Sequence, residues 1–157
     1  MDPKEPSIPR IHLIRQKVIP FNPFTQDMAV MLKWLGINYE FVDTNEFMVR
    51  TSYVDTRYRM EIATRLNKAQ KRFAIAHAIG HLVLHEIPSG IFTDKNFSKD
   101  TPLEREANLF ACDLLVPLRM SEPIFRAFDG DDVKLAEFFQ VPKDAIKIQI
   151  IKLLVGK

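Results

Sequence analysis

The 157 residues are enough for about one domain with a substantial hydrophobic core. Hydrophobic residues make up 46% and charged residues 27%, which excludes an intrinsically disordered chain, and the net charge of +2 does not indicate a polyanionic partner. The single cysteine, Cys112, excludes an internal disulfide, and neither a secretory signal nor an apolar run of about 20 residues is present. We therefore expect one soluble, cytoplasmic domain over residues 1–157, without a membrane partner.

The first predicted element follows a proline-rich start. Residues 1–24 carry five prolines and are expected to be irregular. Thr25 can cap a helix that ends at Gly36. The apolar residues between them keep helical spacing, namely Met28, Met31, Leu32 and Leu35.

A region of strands comes next. Residues 37–63 are rich in β-branched and aromatic residues, and turn-like sequences at 43–45 and 55–56 divide them. This pattern predicts two or three antiparallel strands. From about residue 69 the chain is predicted to be helical to its end, apart from a loop over about residues 86–100. Strands followed by helices indicate an α+β fold with a small antiparallel sheet.

The helix that begins near residue 69 carries the first candidate site. His77 and His81 are four residues apart, so a helix places both imidazoles on one face, where they can bind one metal ion. No charged residue occurs from Phe73 to Leu84, which predicts a central, buried helix. Two buried imidazoles need polar partners, and a shared metal would satisfy both. The alternative is that the two histidines form a core or surface pair without a metal.

The following helix offers a third ligand. Thr101 is a capping residue, and Pro102 is suited to the first helical position. At about 100° per residue, Glu104 and Asn108 fall within the apolar stripe of this helix, whereas Glu106 falls outside it, toward solvent. We expect Glu104 to be a metal ligand and Asn108 to hydrogen-bond a ligating histidine. In the alternative interpretation, Glu104 only completes a capping box with Thr101.

His85 extends the spacing of the two histidines by one more turn. By that position the helix face has turned by about 80° from His77. We therefore predict a structural role for His85, or a contact with a ligating histidine, in preference to ligation.

The C-terminal residues 131–157 are predicted to form a helical hairpin. A tight turn at Val141-Pro142 separates two stretches with helical apolar spacing, which gives a helix-turn-helix pattern. Lysines in this region are offset by acidic residues, so direct nucleic-acid binding is not indicated. We interpret the hairpin as closing the core or docking a protein partner.

These motifs together resemble a known family. The run Arg72-Phe-x-x-Ala-His77-x-x-Gly80-His81-x-x-x-His85, followed by Glu104-x-Glu106-Ala107-Asn108-x-Phe110-Ala111-x-x-Leu114-Leu115-x-Pro117, resembles the ImmA/IrrE metallopeptidases. The resemblance implies a zincin-like helical core in which the His-x-x-x-His helix is central and C-terminal helices close the domain. It also implies Zn²⁺ held by His77, His81 and Glu104, with a water in the fourth position. The typical substrate of the family is a helix-turn-helix transcriptional repressor.

The sequence departs from the family pattern at Ala78. The family has a glutamate there, which takes a proton from the zinc-bound water and delivers it to the leaving amine. Ala78 can do neither, so we expect an inactive peptidase. An engineered Glu→Ala replacement is favoured because the rest of the motif is intact; the alternative is a natural, non-catalytic metal-binding regulator that recognises a protein partner. Tyr53 and Tyr58 are candidates for stabilising the tetrahedral intermediate.

Overall fold

The computed structural model describes residues 28–85, 89–93 and 101–156. Within these residues the chain forms six helices and four strands. The helices are α1 (Met28–Trp34), α2 (Lys68–Leu84), α3 (Pro102–Leu115), α4 (Leu118–Ala127), α5 (Asp132–Phe139) and α6 (Lys143–Val155). The strands are β1 (Asn38–Val42), β2 (Val49–Val54), β3 (Arg57–Ala63) and β4 (Gly90–Phe92). The irregular start predicted for residues 1–24, the Thr25 cap and much of the predicted loop at 86–100 lie outside the described residues.

The predicted α+β fold is confirmed, but the sheet is mixed and not purely antiparallel. Its strand order is β1-β3-β2-β4, and β2 runs antiparallel to both of its neighbours. Asp55 and Thr56 both have positive φ, 51° and 64°, as expected of a two-residue hairpin turn that sends β3 back along β2. β3 lies between β1 and β2, and it pairs with β1 in parallel.

Strand β4 lies in the segment that the sequence predicts to be a loop. Its three residues pair with β2, so that Phe92 lies opposite Val49 and Gly90 opposite Thr51. Three residues are too few to show the alternation that identifies a strand in a sequence. The strand nevertheless brings Phe92 into the core, where the residue is 4% exposed.

Helix α2 is central, as the uncharged run from Phe73 to Leu84 predicts. Asn67 and Gln70 form a capping box at its start, with each side chain accepting a hydrogen bond from the other's backbone N–H. Almost every residue from Phe73 to Val83 is buried, because α2 packs against the sheet on one side and against α3 on the other. The site histidines are therefore held on the most enclosed helix among those described.

The C-terminal helices pack onto the end of α3. Helices α5 and α6 lie where the hairpin is predicted, and the turn between them includes Gln140 in the left-handed conformation, with φ 56°. From α6, the buried Gln149 donates to the Cys112 and Val116 carbonyl oxygens at 3.3 and 2.8 Å. The Cys112 carbonyl also accepts from the Val116 N–H, so Gln149 links α6 to carbonyls in the last turn of α3. None of the described helices combines the length and apolarity needed to cross a lipid bilayer.

A close approach of α2 and α3 depends on Gly80. A Cβ atom at this position would lie 3.0 Å from Phe110 Cδ1 and 3.3 Å from the Ala107 Cα. We predict that Gly80→Val destabilises the fold by about 1–3 kcal/mol, the usual effect of overpacking. Such a loss lowers the melting temperature by a few degrees for a domain of this size.

The matched control for this substitution is Glu137→Val, on the exposed side of α5. It introduces the same β-branched residue into a helix but creates no overpacking. Equal melting temperatures for the two variants, measured by circular dichroism, would show that the helices do not need a glycine at position 80.

Candidate metal centre

Two contacts orient the imidazole of His77, which is fully buried. Its Nδ1 lies 2.7 Å from Asn108 Oδ1, and because an amide oxygen only accepts hydrogen bonds, Nδ1 is the donor. Phe92 stacks on the ring with centroids 3.9 Å apart and planes inclined by 22°. In the neutral imidazole, the Nε2 lone pair therefore points away from Asn108, toward His81 and Glu104.

His81, one turn further along α2, is held from the opposite side. Its Nδ1 lies 2.9 Å from Nδ1 of His85, which is the C-cap residue of the helix. Its Nε2 lies 3.0 Å from Nε2 of His77. The two histidines thus direct the same ring atom to one point.

Glu104 reaches that point from the first turn of α3. Its carboxylate oxygens lie 3.0 Å from His77 Nε2 and 3.0 Å from His81 Nε2. Thr101 caps the helix by accepting from the Glu104 N–H, while the Glu104 carboxylate is directed at the histidines. The backbone of Glu104 therefore takes part in the cap, whereas its side chain faces the histidines and not the start of the helix.

The donor set fits a metal ion. Glu104 Oε2 is buried without a hydrogen-bond partner, since its contact with His77 lacks hydrogen-bond geometry. Two imidazole nitrogens and a carboxylate within 4.8 Å of one another form a group that could hold a cation. Nitrogen ligands about 2.0–2.1 Å from a tetrahedral zinc lie about 3.3 Å apart, close to the 3.0 Å between the two Nε2 atoms. Three protein ligands of these types are typical of a catalytic zinc with one open position.

The environment keeps both histidines neutral. Burial, together with a smaller effect of the neighbouring His81, lowers the pKa of His77 to about 3. Burial also lowers the pKa of His81, although the Glu104 carboxylate partly opposes this shift. Neutral imidazoles present the lone pairs that a metal requires.

This depressed pKa predicts a pH dependence of stability for the protein in chelator. The unfolded chain protonates His77 near pH 6.5, whereas the folded chain does so only near pH 3. The free energy of unfolding is therefore highest, as far as His77 is concerned, above pH 6.5. It falls as the pH decreases toward 3, because only the unfolded chain then binds a proton at His77. His77 alone contributes a slope of up to about 1.4 kcal/mol per pH unit.

Urea unfolding between pH 6.5 and 5, above the range in which most carboxylates titrate, measures this slope. His77→Gln is the control, because it removes the titrating group and should flatten the dependence. An equally steep fall of unfolding free energy in His77→Gln would contradict the assignment.

Ala78 lies at the edge of a small cavity beside the three converging groups. The cavity has a volume of about 90 Å³ and is lined by Val49, Thr51, Ala78, His81, Gly90, Ile91, Phe92 and Glu104. Among these lining residues the carboxylate is that of Glu104, which already faces the histidines. The described cavity wall therefore offers no second carboxylate in place of a side chain at position 78.

The structure brings together most of the residues that the sequence singles out. His77, His81 and Glu104 converge, and Asn108 and His85 each contact one of the two histidines. Glu106 lies on the exposed side of α3, as predicted, but it also makes a contact that the sequence does not predict. Its carboxylate is 57% exposed but lies 2.8 Å from His85 Nε2, because the long side chain reaches α2 from the flank of α3.

Tyr53 and Tyr58 are not among the residues that line the cavity. They pair across β2 and β3, and their ring centroids lie 4.8 Å apart. Sequence reasoning also missed Phe92 and Thr51, which do line it. The one sequence signal for Thr51 is its place in a β-forming stretch, and Phe92 has none.

Comparison with known proteins identifies the family of the domain. Residues 33–150 match the peptidase M78 family, described as an IrrE N-terminal-like domain. No curated protein matches the sequence. Among solved structures, a Mycobacterium tuberculosis transcriptional regulator is similar with a TM-score of 0.59 and 19% identity, over 90% of this chain and 44% of that chain. At this identity the likeness shows the fold alone, and this chain spans less than half the length of that regulator.

Proposed function

The chain belongs to the peptidase M78 family of IrrE-like metallopeptidases, and we propose that it is a zinc metallopeptidase domain whose hydrolytic step is disabled at Ala78. The observation that carries the proposal is the convergence of His77 Nε2, His81 Nε2 and the Glu104 carboxylate. These three residues would hold the zinc, and Asn108 would orient His77 toward it.

The proposed chemistry divides between the ion and the protein. A zinc ion held by these ligands supplies Lewis-acid polarisation of a peptide carbonyl and activation of a water. The protein must supply a base that moves a proton from that water to the leaving amine. Position 78 follows the first histidine and borders the cavity next to His81 and Glu104, so a glutamate there would be placed for this transfer. The methyl group of Ala78 cannot accept a proton.

We propose a helix-turn-helix transcriptional repressor as the protein substrate. The support is the family resemblance of the two motifs, and a repressor substrate also implies a cytoplasmic location. The cavity suits a substrate side chain that is largely apolar, because Val49, Ile91 and Phe92 form much of its wall. We do not propose direct DNA binding, since acidic residues offset the lysines of α5 and α6.

A second candidate function is a non-catalytic, metal-binding regulator that recognises a protein partner. The observation that favours it is Ala78 itself, in a site whose other groups are all present. The codon for residue 78 in the native gene separates an engineered replacement from a natural regulator.

The proposal is tested by mixing the zinc-loaded protein with a purified repressor encoded beside its gene. We expect a complex by size-exclusion chromatography and no fragments by mass spectrometry, because the ligands are present and the base is absent. Fragments formed by the Ala78 protein in a zinc-dependent way would show that another residue provides the base.

A further inference from the structure

His85 and Glu106 form a hydrogen-bonded chain that ends on His81. His85 Nε2 lies 2.8 Å from Glu106 Oε2, and His85 Nδ1 lies 2.9 Å from His81 Nδ1. The His85 side chain is only 6% exposed, so it is held between helix α2 and the flank of α3. Neither His85 nor Glu106 has a part in the function proposed above.

The carboxylate of Glu106 determines which atom donates in each of these hydrogen bonds. An ionised carboxylate only accepts hydrogen bonds, so His85 Nε2 donates to Glu106. The other nitrogen of a neutral His85, Nδ1, is then an acceptor, and His81 Nδ1 must donate to it. The remaining nitrogen of His81, Nε2, keeps its lone pair.

The direction of that lone pair is what matters for the metal. His81 Nε2 is the atom that lies 3.0 Å from both His77 Nε2 and Glu104 Oε1. In the other neutral tautomer this atom would carry a proton and could not ligate a metal. Free histidine in water populates both tautomers, so a fixed tautomer needs a device that holds it.

We propose that Glu106 and His85 are positioning residues that hold His81 in the Nδ1–H tautomer and turn its Nε2 toward the metal position. The inference rests on the proposed function only in taking His81 as a ligand. The two ligating histidines are thereby fixed by different means. His77 is held by Asn108 in the interior, whereas His81 is held through a chain that ends at a carboxylate 57% exposed to solvent.

Zinc affinity, measured by competition with a chromophoric chelator, gives the first test. We expect Glu106→Ala to weaken binding about tenfold and His85→Phe by about 10- to 100-fold, the range known for groups that orient metal ligands. Glu106→Gln should return binding close to the unmodified level, because its amide oxygen still accepts from His85. Glu137→Ala, which removes an exposed carboxylate from α5, is the matched control and should have no effect.

A double variant tests whether the two residues act through one chain. Adding Glu106→Ala to His85→Phe should weaken zinc binding no further, since the carboxylate then has no imidazole to orient. Full additivity of the two losses would overturn the proposal that Glu106 acts through His85.

The second readout does not require a bound metal. Nitrogen-15 NMR of the histidine rings in chelator is done in a Glu104→Ala background, which removes the carboxylate 3.0 Å from His81 Nε2 that would otherwise attract a proton to that atom. His81 should be the Nδ1–H tautomer in this background and a mixture when Glu106→Ala or His85→Phe is added. If both substitutions leave the His81 tautomer and the zinc affinity unchanged, His85 and Glu106 do not position His81. If the unmodified protein binds no zinc, the proposed function fails, and the NMR comparison still shows whether His85 and Glu106 fix the His81 tautomer.

Discussion

Ala78→Glu is expected to give metal-dependent peptide hydrolysis, about 10²–10⁴-fold faster than the chain with Ala78. The physical reason is the place of residue 78. Its Cβ borders the cavity that His81 and Glu104 also line, and the residue is only 5% exposed. A glutamate there would meet a substrate and a water at the metal position, away from bulk solvent. The measurement is the initial rate at which the zinc-loaded variant cleaves a repressor encoded beside the gene, followed by mass spectrometry.

The controls distinguish the effect of a proton-accepting group at position 78 from the effect of a larger side chain. Ala78→Gln has nearly the same volume as the glutamate but cannot accept the proton, so it should remain inactive. A chelator should abolish the activity of Ala78→Glu, and added zinc should restore it. A folded, zinc-loaded Ala78→Glu protein that leaves the repressor intact would favour the non-catalytic regulator.

Glu104→Gln is expected to weaken zinc binding by more than the 10- to 100-fold typical of groups that only orient a ligand. The carboxylate lies 3.0 Å from Nε2 of His77 and of His81, and its Oε2 atom is buried without a hydrogen-bond partner. Its replacement by an amide removes the negative charge that faces the metal. Competition with a chelator measures the loss.

Glu106→Gln, two residues further along α3, is the matched control for this change. Its amide oxygen can still accept from His85, so zinc binding should remain nearly unchanged. The opposite pattern, a large loss with Glu106→Gln and none with Glu104→Gln, would mean that Glu106 is the ligand and that the helix phase was misassigned.

The sequence predicts the helical half of the site because helix phase is a local property. The four-residue spacing of His77 and His81 and the absence of charge around them are enough to predict a buried helix with two imidazoles on one face. In α3, Thr101 and Pro102 mark the start, and the apolar stripe then sets the direction of Glu104. These expectations agree with the structure because each depends only on residues within one helix.

The parts that the sequence does not predict depend on contacts between distant segments. Strand β4 is three residues long, and it is recognisable only once it pairs with β2. Strand β1 pairs in parallel with β3 and not with β2, the next strand in the sequence, and no local sequence pattern predicts this. Helix phase correctly predicts that Glu106 is on the exposed side of α3, but it does not predict the contact of the long side chain with His85. Side-chain reach and strand order are properties of the assembled fold.

The most direct test of the account is the zinc content of the protein purified without chelator, determined by native mass spectrometry. We predict about one zinc per chain, and none after His77→Ala and His81→Ala are combined. Stoichiometric zinc in the double variant, or no zinc in the unmodified protein supplied with the ion, would contradict a metal centre at His77, His81 and Glu104.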